Sequence, residues 1–381
     1  MKKAPTLRFK GFTNDWEQRK LGEISNIIAG GDKNINKIKK YGKYPVIANS
    51  INKNGIVGYY DNEYRVKAPA VTVTGRGEIG HAVARFQNFT PIVRLLALSS
   101  KLDSIFLANS INKIRFFNES TGVPQLTKPQ LSTYSIIIPS VEEQNNIGKL
   151  ILLIEKYIHL QQRKLELLKA SKKAVLQNIF TDTKRVPTIR FNTFSENWNQ
   201  KRLKPFLIKY NKKTTVNNQY PVLTSSRQGL FFQKDYYDGN QIASKNNIGY
   251  NIVPRNYFTY RHMSDDLIFH FNINTICDYG IVSTLYPVFT TTSEIDSQWL
   301  LYYLNHSVDI KKYALLQKQG GSRTYMYFSK LESLKAHIPA LAEQKKISSL
   351  IFKIDEQIYF QQKKLKYLQK SKRFLLQNMF I

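Results

Sequence analysis

One segment has the spacing of a dinucleotide cradle. Gly75-Arg76-Gly77-Glu78-Ile79-Gly80 reads G-x-G-x-x-G, a pattern whose glycines let the backbone approach a pyrophosphate at the start of a helix. That chemistry needs a helix opening at the last glycine and an acid about 20 positions on. Here His81 to Phe86 alternate as a strand, and no such acid follows. The segment therefore reads as a hairpin turn presenting Arg76, serving either as ordinary turn chemistry or as a nucleic-acid contact. Other catalytic arrangements are missing. There is no GxxxxGK[ST] phosphate loop and no Pro-Pro dipeptide, so the Asn/Asp-Pro-Pro-aromatic motif of amino-methyltransferases is absent. The six histidines lack metal-ligand spacing, and Glu343-Gln344-Lys345 matches only the end of a nuclease motif, at the start of a helix. No catalytic residue and no metal ligand is expected.

What remains is a set of side chains suited to reading base edges, Arg against guanine and Asn or Gln against adenine. They lie in short polar turns: Asn49, Ser50, Asn52 and Lys53 after one Tyr-Pro-Val, and Ser225, Ser226, Arg227 and Gln228 after another. Thr74 and Arg76 belong to the hairpin above. Tyr260 and Arg261 close the stretch 256–261, and Arg323 and Tyr325 fall in the glycine-led segment 320–325. Solvated turns use the same residue types, so both readings stand at each loop.

Charge favours a polyanionic partner. The 381 residues hold 57 Lys and Arg against 27 Asp and Glu, a formal charge of +30. With 42% hydrophobic and 13% aromatic residues, the chain has too many core formers for a disordered basic tail. Double-stranded nucleic acid is the commonest partner of such a surface, with a membrane surface as the competitor. No run of 18 apolar residues occurs, and the basic start meets no apolar stretch, so neither a span nor a signal peptide is expected. Cys277 is the single cysteine, which excludes an internal disulfide and a thiolate zinc cluster. A cytoplasmic location follows as an expectation.

The elements that must position these loops are announced by an internal repeat. Residues 5–21, PTLRFKGFTNDWEQRKL, align without gaps on 187–203, PTIRFNTFSENWNQKRL, with eight of 17 positions identical. Residues 161–180 face 361–380 with 11 of 20 identical. The chain is thus two tandem copies whose ends agree and whose middles, about 56–115 and 230–320, do not align. Its parts are a first globular domain over 1–140, a long helix over 141–180, a polar link over 181–186, a second globular domain over 187–340 and a second long helix over 341–381.

Both helices carry a heptad seam. Ile147, Ile151, Ile154, Ile158, Leu165 and Leu168 repeat in steps of three and four, and Ile347, Ile351, Ile354, Ile358, Leu365 and Leu368 keep the same register. Gln161 with Lys172 and Gln361 with Lys372 interrupt the two seams at matching places. Matched polar interruptions predict that the helices pair with each other, and the order of the chain makes that pairing antiparallel. The heads carry short alternating runs at 69–74, 81–86, 114–117, 134–138, 257–260, 267–271 and 285–289, with helices expected at 92–109 and 298–312. The fold class is α/β (α+β): two globular domains with mixed sheet, separated by two long helices forming an antiparallel coiled coil.

Taken together, these motifs resemble the DNA-specificity subunits of type I restriction-modification enzymes. The resemblance covers essentially the whole chain. It rests on LRFxxF…W at Leu7 to Trp16 and its echo at Ile189 to Trp198, on IPxxxEQ at Ile138 to Gln144 and Ile338 to Gln344, and on LQxxF at Leu176 to Phe180 and Leu376 to Phe380. It implies a non-catalytic subunit in which each globular domain is a target-recognition domain. Each would read one half of a gapped, asymmetric duplex sequence, while the helices set the gap and dock two modification methyltransferase subunits, which restriction subunits join. S-adenosylmethionine, ATP and magnesium would belong to those partners, with no cofactor on this chain. The alternative is a stand-alone architectural or regulatory DNA-binding protein, and a purely structural scaffold leaves the charge unexplained.

Overall fold

The computed structural model describes residues 4–117, 123–180, 186–239, 244, 246–318 and 323–381. Gly320, Gly321 and Ser322 of one expected loop, and Thr181 to Arg185 of the link, lie outside the described residues. The chain divides into two units, and the division cuts through both long helices. Unit 1 comprises residues 1–164 with 361–381, and unit 2 comprises 165–360.

In unit 1 a four-stranded antiparallel sheet runs in the order Ser25–Ala29, Leu95–Ser100, Ala70–Thr74, Ala82–Arg85. Ala70–Thr74 is buried at every position, because it is a central strand with both faces covered. One face receives the helix Ser104–Ile111, and Leu21, Val71, Val73, Leu98, Leu107, Ile111 and Leu131 form that core. A second sheet places Tyr44–Ile47 between Ile56–Tyr60 and Thr90–Pro91. A ribbon of Glu17–Lys20 against Ser135–Ile138 ties the beginning of the head to its end.

Unit 2 repeats the main sheet strand for strand, in the order Leu207–Lys209, Val288–Thr291, Phe258–Tyr260, Phe271–Ile273. Its ribbon pairs Asn199–Arg202 with Lys335–Ile338, and the helix Ser297–His306 packs on its sheet. The middles that do not align in sequence therefore share a topology. Their decoration differs in extent: where unit 1 sets Tyr44–Ile47 between Ile56–Tyr60 and Thr90–Pro91, unit 2 has a hairpin of Leu223–Ser226 and Gly229–Phe232 and a pair of Asn251–Pro254 with Tyr279–Val282.

The long helices are Val141–Asn178 and Leu341–Asn378. In unit 1 the start of the first packs with the end of the second: Ile147 and Ile151 join Met379, Phe380, Trp16 and Phe106. In unit 2 the roles exchange, and Leu176, Ile179 and Phe180 share a core with Ile347, Ile351, Trp198 and Trp299. The pairing is antiparallel. Gln161 and Gln361 meet in the buried seam, the Gln361 amide donating to the Gln161 backbone carbonyl at 3.1 Å and its side-chain oxygen at 2.6 Å. The lysine interruptions become ion pairs, Lys372 with Glu155 at 2.7 Å in unit 1 and Lys172 with Asp355 at 2.5 Å in unit 2.

The repeated motifs have one structural job, performed twice. Arg8 grips Glu143 through two hydrogen bonds of 2.8 and 2.7 Å, and Arg190 grips Glu343 through two of 2.8 Å. Both carboxylates are almost wholly buried, so each needs its fork of donors. Gln144 and Gln344 then donate to the carbonyls of Pro139 and Pro339 at 2.8 and 2.9 Å. Leu7 N–H donates to Asn378 O in unit 1, and Ile189 N–H to Asn178 O in unit 2, both at 2.9 Å.

Five expected elements come out differently, one of them the run 285–289, where a turn follows Ser283 and pairing begins only at Val288. The stretch 92–109 is not one helix: Leu95–Ser100 is a strand, and the helix starts at Ser104, where the Asp103 carboxylate accepts from Phe106 N–H at 2.8 Å. Its apolar run is a strand covered on both sides, which periodicity does not separate from a helix. Residues 114–117 form no strand, and Phe116 instead packs its ring 4.8 Å from Tyr134. Within 267–271, Leu267 sits at φ +66°, which breaks the strand so that pairing begins only at Phe271. The helix expected over 298–312 is two, Ser297–His306 and Val308–Leu316, divided at Ser307, which caps the second through Ile310 N–H.

Candidate nucleic-acid interface

In unit 1 the segment 75–80 is a hairpin tip, and each glycine in it has a steric reason. A Cβ on Gly75 would stand 2.5 Å from Arg94 O, and one on Gly80 would stand 2.2 Å from the Phe116 ring. Gly77 and Gly80 also adopt φ of +74° and +85°, the region that favours glycine. The strand Ala82–Arg85 follows directly, and no helix opens there. Asn49 holds the tip from the neighbouring loop, accepting from Gly75 N–H at 2.7 Å and donating to Arg76 O at 2.8 Å. Both ends of its amide are thereby used in support. Thr74 is buried and bonded to Glu78 O and His81 N–H, so it shapes the turn from inside.

Arg76 is left exposed at the tip. Ser50, Asn52 and Lys53 are exposed on the adjacent loop, where Ser50 Oγ accepts from Asn52 N–H at 3.2 Å and Lys53 takes φ +49°. Arg94, whose carbonyl accepts from Gly75 N–H at 2.9 Å, adds a further exposed guanidinium near the tip. Sequence reasoning missed it, because a lone Arg between apolar strands carries no turn signature.

In unit 2 the hairpin tip is Arg227-Gln228, both exposed. Ser226 Oγ builds the turn, accepting from Gln228 N–H and donating to Gly229 O, each at 3.1 Å. Ser225 and Tyr260 are not on the surface. Ser225 is buried, with Oγ donating to Thr259 O and accepting from Asn272. Tyr260 is wholly buried and donates its hydroxyl to Met326 O at 2.9 Å, and burial pushes its pKa far upward. Residue type alone could not show which way these side chains turn.

Arg261 remains exposed at the rim of a cleft of about 210 Å³ that includes Arg227, Tyr236, Tyr237, His270 and Tyr286. Two acids that sequence reasoning passed over stand beside it. Asp266 accepts from Arg227 Nη2 at 2.6 Å and from Ser264 Oγ at 2.8 Å, and Asp265 accepts from Arg323 Nε at 3.0 Å. The Arg227 guanidinium and then the Ser264 hydroxyl hold the Asp266 carboxyl down to about 2. Tyr325 pairs with Met263 across a short two-stranded ribbon and stacks on Tyr327, ring centroids 5.6 Å apart. Among the described residues Arg76, Arg94 and Arg261 are exposed and have no carboxylate partner, while Arg227 and Arg323 have one each.

Among the described residues no group of His, Cys, Asp or Glu could hold a metal ion, and no helix is long and apolar enough to cross a membrane. The candidate site consists of exposed arginines: Arg76 and Arg94 beside the four-stranded sheet of unit 1, Arg261 beside that of unit 2, and Arg227 and Arg323 on two separate two-stranded ribbons of unit 2. Residues 13–170 match the family of the type I restriction modification DNA specificity domain. That stretch, most of the first head and the first long helix, is similar to this domain family. Two chains of Mycoplasma pneumoniae described as type I specificity subunits are 29% identical over 151 residues and 31% identical over 135 residues. Those matches take 38% and 34% of this chain, and the chain spans only 45% and 37% of the length of these relatives. The specificity subunit of the type I restriction enzyme MjaVIII from Methanocaldococcus jannaschii is 21% identical over 406 residues, covering 95% of this chain and 91% of its own. The crystal structure of a type I restriction-modification S subunit from M. genitalium shares the fold, with a TM-score of 0.61 at 13% identity over 99% of both chains.

Proposed function

We propose that this chain is the non-catalytic specificity subunit of a type I restriction-modification complex, working in the cytoplasm on double-stranded DNA. Each unit reads one half of a gapped, asymmetric target, and the paired helices fix the gap. The observation that carries this reading is the contrast between the two units. Their sheets and motif-bearing frames agree, while the tips that present Arg76 in one and Arg227, Arg261 and Arg323 in the other differ in sequence and shape. A common frame with divergent tips is what two different half-sites require. Exposed, unpaired arginines supply phosphate contacts, which position a protein on a duplex without reading its sequence.

The helices support a docking role for two modification methyltransferase subunits, with restriction subunits joining them. Leu153, Leu160, Tyr367 and Phe374 in unit 1, and Leu167, Phe352 and Phe360 in unit 2, are each more than half exposed. Large apolar residues repeated at such positions mark protein contacts. A stand-alone DNA-binding protein would leave them without work. S-adenosylmethionine, ATP and magnesium are assigned to the partner subunits.

The deciding experiment is single-molecule sequencing of genomic methylation in the host with and without the gene. A gapped two-part motif that disappears on deletion is the expected result. An unchanged methylation pattern overturns the reading in favour of a stand-alone binder.

A further inference from the structure

Arg227 and Arg323 reach the same surface from different parts of unit 2, one from the hairpin tip and one from the lead into the strand Thr324–Tyr325. Each is held by a carboxylate, and the carboxylates belong to consecutive residues, Asp266 and Asp265. Asp266 is itself fixed by Ser264 Oγ and accepts from Ile268 N–H at 3.2 Å, so it is anchored on three sides. Surface ion pairs contribute little to stability. In a chain with 30 more basic than acidic residues, two acids placed on two tip arginines call for another role.

A phosphate contact is the wrong role for these two arginines. Pairing with Asp cancels the guanidinium charge, which weakens attraction to a phosphate and releases fewer counterions. Pairing also immobilises the planar fork and occupies only one of its edges: Arg227 gives Nη2 to Asp266, and Arg323 gives Nε to Asp265. The remaining donors keep the fixed geometry that matches guanine O6 and N7. Arg76, Arg94 and Arg261, which have no carboxylate partner among the described residues, suit phosphates instead.

We infer that Asp265 and Asp266 are positioning residues that present Arg323 and Arg227 to guanine edges, so that the half-site read by unit 2 contains two G·C pairs close together. The inference rests on the proposed reading of a two-part DNA target. The Cα atoms of consecutive residues lie about 3.8 Å apart, near the duplex rise of about 3.4 Å per base pair, so the two guanines fall within a few steps of each other.

The test compares genomic methylation in host strains whose chromosomal gene carries Asp266→Asn, Arg227→Lys or Arg323→Lys. The lysine variants keep the charge and lose the fork. Each variant is expected to relax one G·C position in the same half of the motif, by about 5- to 150-fold in discrimination, and to leave the other half unchanged. The purified complex, titrated with duplexes altered one base pair at a time over a salt series, gives the second reading. Asp266→Asn frees a guanidinium for phosphate, so its log-log salt slope steepens by about 0.9, whereas Arg227→Lys flattens guanine preference on duplexes that still bind. An intact motif in all three strains, changes falling in different halves, or loss of all binding in the lysine variants overturns the inference. A wild-type strain without any gapped motif overturns the proposed function itself, which separates the two failures.

Discussion

His306 ends the helix Ser297–His306, half-buried against the sheet of unit 2. Burial, with Lys172 second among the causes, pushes its pKa down to about 4 from the ordinary value near 6.5. Between those values the unfolded chain holds a proton that the folded chain does not, so folding stability falls as pH drops from 6.5 to 4. His306→Asn should remove that part of the slope. The check is urea unfolding followed by tryptophan fluorescence, since Trp198 and Trp299 both lie in the unit 2 core. Parallel wild-type and variant curves through the window would contradict it. At this scale residue type was a partial guide. It singled out Arg76, Arg227, Arg261 and Arg323, which are exposed, and also Thr74, Ser225 and Tyr260, which face inward. A strand sends alternate side chains to opposite faces, and only the packed sheet decides which face is covered.

The long helices were legible as elements because their seam repeats for nearly 40 residues and breaks at matched places. Gln161 and Gln361 show why the breaks coincide: each supplies the other's partner inside a buried seam. Replacing Gln161 alone with Leu removes the shorter of the two acceptors of the Gln361 amide, leaving it the Gln161 backbone carbonyl, and should cost about 1 kcal/mol. Replacing both with Leu should recover most of that loss or exceed wild-type stability. Chemical denaturation of both single variants and the double variant closes the cycle, and additive losses would mean that the two residues do not interact. Shorter elements were harder to read. Leu95–Ser100 read as part of a helix because a strand covered on both faces loses its alternation. The long helix expected from 298 broke at Ser307, a cap that looks like any other polar residue on a helix until its partner Ile310 N–H is known.

For the molecule as a whole, the proposed docking role makes the exposed apolar residues of each unit a prediction about the composition of a complex with modification subunits. Leu160→Asp with Tyr367→Asp alters unit 1, and Leu167→Asp with Phe360→Asp alters unit 2; all four side chains lie more than half exposed, so neither head core is disturbed. Native mass measurement of the co-expressed complex should show one modification subunit lost with each pair of substitutions and both lost with all four. An unchanged stoichiometry would remove these faces from the docking surface. The sequence by itself determined that the chain is two copies, that each copy has a shared frame and a long helix, and that the helices pair, and its net charge of +30 set the expectation of a polyanionic partner. Repetition and net charge are properties of the chain's order and composition, so no coordinates were needed for them. Only the tertiary structure decided that the unalignable middles share one sheet, that Arg8 and Arg190 lock onto Glu143 and Glu343, and that Asp265 and Asp266 reach Arg323 and Arg227. Those contacts join residues separated by 39 to 153 positions, and a separation of that kind leaves no local period for a sequence to reveal.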